Sequence, residues 1–369
     1  MKHLAATALA ALSSLLVALA PASGAGGATA GAETTLERFP VCEASAAIEM
    51  PCRADATKTC VWVADNEQGA NLFEYDVGAT GVLSPATPFA IEIGDAKKDA
   101  RKYGDIEALA RDGDAVLAIG SHGRSRSCEA QKVRARVARI AGSPPVATRV
   151  AGDEGWKKSL AQCSAALIAL GGDGAEGPAA RLREQACDVI AEQEARAEAY
   201  ATEHPGDKDC PATPFNVEGA VHVTDGGRTR VWIGLRAPLL RSGKALLLRV
   251  VLPQKPDEHL TFDGIAAIDL KGQAIRELTQ SDGTLWGIAG SVLDDPTSKS
   301  RLWHAPLSAL TSGATIDDVT FVHDGLPSTA EGLVLQPAEK RAIVLMDGDL
   351  DQSETACATP STQMTIALP

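Results

Sequence analysis

The chain has 369 residues, enough for one large domain or for two. Its formal net charge is -13, and an acidic surface repels nucleic acids and anionic membranes, so neither is an expected partner. Aromatic residues make up 4% of the chain, which disfavours a broad stacking surface for sugars or bases.

Residues 1–25 have the pattern of a secretory signal peptide. Lys2 and His3 form a basic start, an apolar run covers residues 4–20, and small residues surround a cleavage site after Ala25. An uncleaved membrane anchor is the alternative, but no stop-transfer pattern follows the apolar run. We therefore expect a periplasmic or secreted monomer without membrane insertion after cleavage. Its first mature stretch, residues 26–40, is rich in glycine and alanine and is predicted to be flexible.

The eight cysteines all follow this signal sequence. An even number of cysteines in an exported protein predicts disulfide bonds, and without a C-x-x-C motif a redox site or zinc knuckle has no support.

A helical hairpin is predicted for residues 153–202, inserted into the domain. Residues 156–170 and 179–200 each place apolar side chains on one helical face, and a glycine-rich linker separates them. Antiparallel packing of the two helices would bring Cys163 and Cys187 together, which predicts one disulfide. Two buried free thiols are the alternative.

The remaining sequence has the pattern of short β-strands and repeats five times. In each copy, a first strand begins with apolar residues and an acidic or small polar residue. A turn, a second apolar strand and a polar cluster follow. After subtraction of the hairpin, the acidic starts at Glu107, Glu218, Glu277 and Glu331 recur at intervals of roughly 60 residues, the size of a propeller blade. We predict an all-β fold, a β-propeller of five or six blades over residues 41–369. A pair of β-sandwiches and a β-barrel are the alternatives.

Propeller geometry predicts one functional face. The start of the innermost strand and the end of the second strand of each blade lie at the same mouth of the central channel. Convergent carboxylates, a histidine and arginines suit a small polar or anionic ligand. The candidate ligand-binding residues are Glu107, Ser121, His122, Arg124, Glu218, Arg236 and Glu331. His122 and Glu218 are the candidate catalytic residues.

A divalent cation, with Ca²⁺ preferred, is the candidate cofactor. Carboxylates crowded around a channel need a cation, an arginine partner or raised pKa values. The candidate metal ligands are Asp65, Glu67, Asp347 and Asp349. The segment from Asp347 to Asp351 departs from the EF-hand pattern, so an acidic turn is an alternative, as are backbone hydrogen bonds and structural ion pairs for the glutamates.

The chain resembles an uncharacterised bacterial family, domain of unknown function 3616. The segments that carry the resemblance are residues 105–126, 215–250, 274–290, 301–306 and 328–349. The resemblance implies an exported, propeller-like protein without an established activity. A looser similarity links the Glu-Gly strand starts to phytase-like and esterase-like propellers, some of which bind calcium and hydrolyse phosphoesters.

Three functions are consistent with these patterns. The first is a binding protein for a small polar or anionic ligand, with the helical hairpin as a lid. The second is a metal-dependent phosphoester or ester hydrolase, in which the carboxylates hold a metal that activates water. The third is a protein-interaction scaffold, which requires a large exposed apolar patch.

Overall fold

The protein is a β-propeller of five blades. The computed structural model describes residues 34–35, 41–66, 71–92, 104–150, 177–225, 228–252, 261–293, 295–348 and 360–369. The signal sequence, the predicted helix at 156–170, Cys163, Glu67 and Asp349 lie outside the described residues.

Each blade is built on an antiparallel sheet whose first three strands follow one another in chain order from the channel outward. Blade 1 contains β2 (Ala44–Pro51), β3 (Thr59–Asp65), β4 (Asn71–Val77) and β5 (Leu83–Glu92). Blade 2 contains β6 (Ile106–Asp112), β7 (Ala115–Gly120), β8 (Val137–Ala141) and β9 (Val146–Arg149). Blade 3 contains β10 (Asn216–Asp225), β11 (Arg228–Ala237), β12 (Ala245–Val251) and β13 (Thr261–Ile268), with β17 (Thr315–Ile316) added in parallel at its edge.

Blade 4 contains β14 (Ala274–Ser281), β15 (Thr284–Gly290), β16 (Ser300–Pro306) and β18 (Thr320–Leu326). Blade 5 contains β19 (Ala330–Gln336), β20 (Arg341–Met346) and β21 (Thr362–Ala367). Its outermost strand is β1 (Thr34–Thr35), which pairs with β21 and so joins the two ends of the chain in one sheet. The innermost strands β2, β6, β10, β14 and β19 contact one another in that cyclic order and line the channel.

Local sequence explains the hairpins of the blades. Asp282 and Gly283 form the two-residue turn between β14 and β15 with φ angles of 50° and 74°, the conformation that matches the twist of the flanking strands. Strand β8 begins only at Val137, because residues 132–135 form a turn. Alternating apolar residues of neighbouring blades pack into shared clusters, as with Ala46 and Leu109 of blades 1 and 2.

Helix α1 (Pro178–Glu203) confirms an inserted helical segment. Proline occupies the first turn, where its missing N–H costs no hydrogen bond. Its buried face repeats at three- and four-residue spacing and packs against blades 2 and 3. The buried residues include Leu182, Ala186, Ile190 and Ala197, as the periodicity predicted. Within the described part of the chain, no helix combines the length and hydropathy of a membrane span.

Two disulfide bonds join pairs of cysteines that both lie among the described residues. Cys52–Cys60 closes the β2–β3 hairpin, and Cys128–Cys210 links the loop after β7 to the segment that follows α1. Cys187 is also disulfide-bonded. Because Cys163 lies outside the described residues, the Cys163–Cys187 pairing stays a prediction.

Candidate functional site in the central channel

Every innermost strand carries a β-bulge at the same position. In blade 2, Ile106 pairs with Gly120 and Ala108 with Ile119, so that Glu107 is the extra residue. A bulge re-aims side chains, and this one places one residue of each blade at the channel mouth where the innermost strands begin. We call these residues the bulge ring: Ser45, Glu107, Glu218, Arg276 and Glu331.

Three glutamates of the bulge ring converge. One carboxylate oxygen each of Glu107, Glu218 and Glu331 lies within 4.8 Å of the other two. Their exposed fractions are 6%, 2% and 5%. Three blades thus bring together charges that are spread over more than 220 residues of sequence. Such charges repel one another strongly when water is excluded, so their neighbours decide whether the cluster is stable.

Two arginines oppose this charge. Arg276 Nε lies 3.3 Å from Glu218 Oε2, and its Nη2 contacts Glu331 Oε1. Arg236, at the end of β11, places Nη1 2.9 Å from Glu218 Oε1 and donates from Nε to the Val292 carbonyl at 3.0 Å. Glu218 therefore lies between two guanidinium groups.

The arginines do not balance the site. Asp347, at the end of β20, is a fourth carboxylate whose charge acts on Glu107 and Glu218. The buried carboxylates of this cluster therefore outnumber its two guanidinium groups. Glu107 Oε2 and Asp347 Oδ1 are buried without a hydrogen-bond partner among the described residues. A buried polar oxygen without a partner is costly, which indicates a site for a proton or a cation.

The pKa values of these groups reflect the same excess of negative charge. Burial, followed by the charges of Glu218 and Asp105, raises the pKa of Glu107 well above its usual range, against the opposing effect of Arg276. Burial also raises the pKa of Asp347, reinforced by Glu43. Without a cation, part of the cluster is therefore expected to keep its protons to a higher pH than ordinary carboxyl groups do.

This predicts a pH dependence of stability in the absence of divalent cations. A carboxyl group whose folded pKa is raised keeps its proton in the folded state and releases it on unfolding, so the protein loses stability as pH rises between the ordinary and the folded pKa. In EDTA, the unfolding midpoint should be higher at about pH 5.5 than at about pH 8. Glu107→Gln should flatten this dependence. A midpoint that increased with pH would contradict the assignment.

Glu277 lies one residue after the bulge ring and closes the channel. Its Oε1 accepts from the Leu278 N–H at 2.8 Å and its Oε2 from the Ala47 N–H at 3.4 Å. Blades 4 and 1 are not neighbours, so the second bond crosses the channel. Burial raises the pKa of Glu277 well above its usual range. The sequence pattern aligned Glu277 with Glu107, but the strand register gives that position to Arg276.

Four of the other predicted site residues lie near the channel mouth, whereas Arg124 does not. Asp65, Ser121, His122 and Asp347 lie at the ends of second strands, close to this mouth. Ser121 Oγ donates to Asp105 Oδ2, and Asp65 Oδ2 accepts from the Cys42 N–H at 2.8 Å. His122 is fully buried with a φ of 55°.

Arg124 has a different environment from the one predicted. Its Nε lies 2.8 Å from Glu194 Oε2 of α1, and its Nη1 donates to the Cys128 carbonyl at 3.0 Å. Glu194 also accepts from the Phe215 N–H at 3.1 Å. Arg124 thus connects α1 to blade 2, whereas Glu107, Glu218, Glu331 and Arg236 meet in the channel. Glu67 and Asp349 lie outside the described residues.

Sequence reasoning missed Arg276 and Asn216. Asn216 Nδ2 donates to Glu218 Oε1 at 3.2 Å, which supports the glutamate beside Arg236. Arg276 was visible as the second residue of the fourth repeat, since it follows an apolar residue as Glu107 and Glu218 do. The search for acidic residues shifted the alignment by one position.

Comparison with known proteins confirms the resemblance. Residues 207–347 match the family model described as a protein of unknown function, DUF3616. No curated protein gives a significant match to the chain.

Similar solved structures include a GH43 β-1,3-galactosidase with galactodeoxynojirimycin (11% identity, 83% of this chain and 86% of that chain, TM-score 0.40). They also include a glucose dehydrogenase (10%, 89% and 84%, TM-score 0.33) and Drosophila Semaphorin 2a (7%, 87% and 47%, TM-score 0.29). These similarities are too low to assign an activity or a ligand.

Proposed function

We propose that the protein is an exported binding propeller whose channel site holds a divalent cation, and that a small polar or anionic ligand binds through this cation. The observation that carries the proposal is the convergence of Glu107, Glu218 and Glu331, with carboxylate oxygens within 4.8 Å of one another and one buried oxygen without a partner among the described residues. Export is supported by the disulfide bonds, which form in oxidising compartments.

The all-oxygen donor set of the glutamate cluster suits a hard divalent cation such as Ca²⁺ or Mg²⁺. The three carboxylate oxygens lie within 4.8 Å of one another, close enough to share one such ion. A divalent cation would offset part of the excess of carboxylates over guanidinium groups.

An anionic ligand needs such a cation at this mouth. Arg236 and Arg276 already pair with Glu218 and Glu331, so their positive charge is largely neutralised by carboxylates of the bulge ring. A bound Ca²⁺ would offer its free coordination positions to phosphate or carboxylate oxygens. Among the described residues, the exposed large apolar side chains are Val82, Val146 and Leu293 on separate parts of the fold, which gives the scaffold hypothesis no support.

The decisive measurement is the thermal unfolding midpoint of the mature protein after EDTA treatment, with and without added Ca²⁺. Because the folded state alone presents the assembled carboxylates, Ca²⁺ should raise the midpoint by several degrees at neutral pH and less at acidic pH. Glu107→Gln should abolish this response and stabilise the cation-free protein, since the amide replaces a carboxyl group that otherwise needs a proton.

Glu192→Gln is the matched control, because Glu192 forms an exposed ion pair with Arg241 and should leave the response intact. An unchanged midpoint with Ca²⁺, Mg²⁺ and Mn²⁺ would reject the cation site. Inorganic phosphate should give a further rise only when Ca²⁺ is present. Turnover in a panel of phosphomonoester, phosphodiester and carboxylic ester substrates would favour the hydrolase alternative.

A further inference from the structure

The opposite end of the channel contains a polar cavity. Four residues beyond each bulge residue, the innermost strands again point side chains into the channel, because even spacings keep to one face of a strand. We call these residues the distal ring: Glu49, Arg111, His222, Gln280 and Leu335. They line a cavity of about 200 Å³.

An apolar layer separates the two rings. Two residues beyond the bulge, each innermost strand contributes one buried apolar side chain. These residues are Ala47, Leu109, Ala220, Leu278 and Leu333. The carboxyl group of Glu277 crosses the channel on the bulge-ring side of this layer. The distal cavity is therefore a separate compartment, and its chemistry is independent of the proposed cation.

The cavity carries opposite charges on two adjacent blades. Glu49 of blade 1 lies near Glu339, which follows β19 in blade 5, whereas Arg111 belongs to blade 2. Glu49 and Arg111 face the same cavity, but neither forms an ion pair within 4.0 Å among the described residues. Arg111 Nε is buried and has no hydrogen-bond partner among those residues. A guanidinium group with a buried, unused donor requires an acceptor.

His222 adds a donor beside Arg111. Gln280 Nε2 lies 3.3 Å from His222 Nε2, and a neutral imidazole carries one N–H that can donate to an anion. Burial, followed by the charge of Arg111, lowers the pKa of His222, which keeps the ring neutral. Arg111 and His222 thus form a donor side, and Glu49 forms an acceptor side.

We propose that the distal cavity binds a small organic acid that carries an amino or hydroxyl group next to its carboxylate, with the carboxylate on Arg111 and His222 and the neighbouring group donating to Glu49. Arginine recognises carboxylates through paired N–H donors, and the volume admits only a small molecule. Burial raises the pKa of Glu49 to about 7, with Arg111 opposing this effect and Glu339 reinforcing it. A donor from the ligand would therefore also stabilise the ionised form of Glu49.

Isothermal titration of the full mature chain in EDTA tests this proposal with four probes of similar size: L-alanine, L-lactate, propionate and ethylamine. L-Alanine or L-lactate should bind more tightly than propionate, which lacks the donor, and than ethylamine, which lacks the carboxylate. Arg111→Gln should weaken binding of the preferred probe by roughly tenfold to a hundredfold, as expected for a lost charged hydrogen bond, and Arg111→Lys by less. Glu49→Gln should remove the preference over propionate.

Arg139→Gln is the matched control, since Arg139 pairs with Asp112 at the surface of blade 2 and should leave affinity unchanged. The proposal is overturned if no probe gives measurable heat at millimolar concentration, or if Arg111→Gln binds as the parent does. Because the titrations contain EDTA, a missing cation site would not affect them. Loss of the Ca²⁺ response with intact probe binding would reject the channel-mouth proposal alone.

Discussion

Replacement of Arg276 by methionine is expected to lower the free energy of unfolding by about 3–5 kcal/mol in EDTA at neutral pH. Arg276 is 5% exposed and contacts both Glu218 and Glu331. Methionine preserves much of its volume but removes the charge, so two buried carboxylates lose their shared partner. Breaking a buried ion pair costs more than the pair contributes, because the remaining charge stays desolvated.

The loss should depend on what else can neutralise the ring. Protons can replace the guanidinium, so the cost of Arg276→Met should fall as pH decreases from about 8 to about 5.5. A second change, Glu331→Gln, should recover part of the stability lost, since it removes one of the orphaned charges. If the proposed site binds Ca²⁺, the cation should stabilise Arg276→Met more than the parent protein.

Urea denaturation at several pH values measures these effects. Arg241→Met is the matched control, because Arg241 forms an ion pair with Glu192 that is 72% and 43% exposed and should contribute less than about 1 kcal/mol. Equal losses for the two variants would show that Arg276 does not balance the bulge ring. A loss that grew toward acidic pH would show that its role is not electrostatic.

Arg276 also shows where sequence reasoning stopped. The repeat could be recognised because apolar, polar and small residues recur at the start of each innermost strand, and this periodicity predicted the propeller and its convergent glutamates. The bulge could not be recognised, because it is defined by pairing with a second strand. Without the strand register, the sequence pattern matched Glu277 to Glu107, so the predicted set of channel residues did not include Arg276.

Two other features depend on contacts that no local pattern encodes. Arg124 follows the polar cluster after β7 and was expected at the channel, but Glu194 of the inserted helix binds it instead. The distal ring was overlooked because Glu49, Arg111 and His222 look like ordinary polar positions of half-buried strands. These residues can be recognised as a set only because each lies four positions after a residue of the bulge ring.

Of the two disulfide bonds that join described cysteines, Cys128–Cys210 is expected to contribute more to stability. This bond closes a loop with a sequence separation of 82, against 8 for Cys52–Cys60. In the chain-entropy description, the stabilisation grows with the logarithm of loop length, which gives about 4.5 kcal/mol for the longer loop and about 2.5 kcal/mol for the shorter one. The variant Cys128→Ala/Cys210→Ala should therefore lose about 2 kcal/mol more than Cys52→Ala/Cys60→Ala.

The structure adds a local consequence. Cys128 packs with Ala197 of α1 and with Ala212, and the Cys210 N–H donates to the Arg126 carbonyl at 3.2 Å. Opening the bond should loosen α1 and the Arg124–Glu194 pair, so hydrogen exchange in α1 should accelerate in Cys128→Ala/Cys210→Ala and not in the short-loop variant. The bulge ring lies on other strands and should keep its response to Ca²⁺. If the short-loop variant were the less stable of the two, strain or packing rather than loop entropy would dominate at these sites.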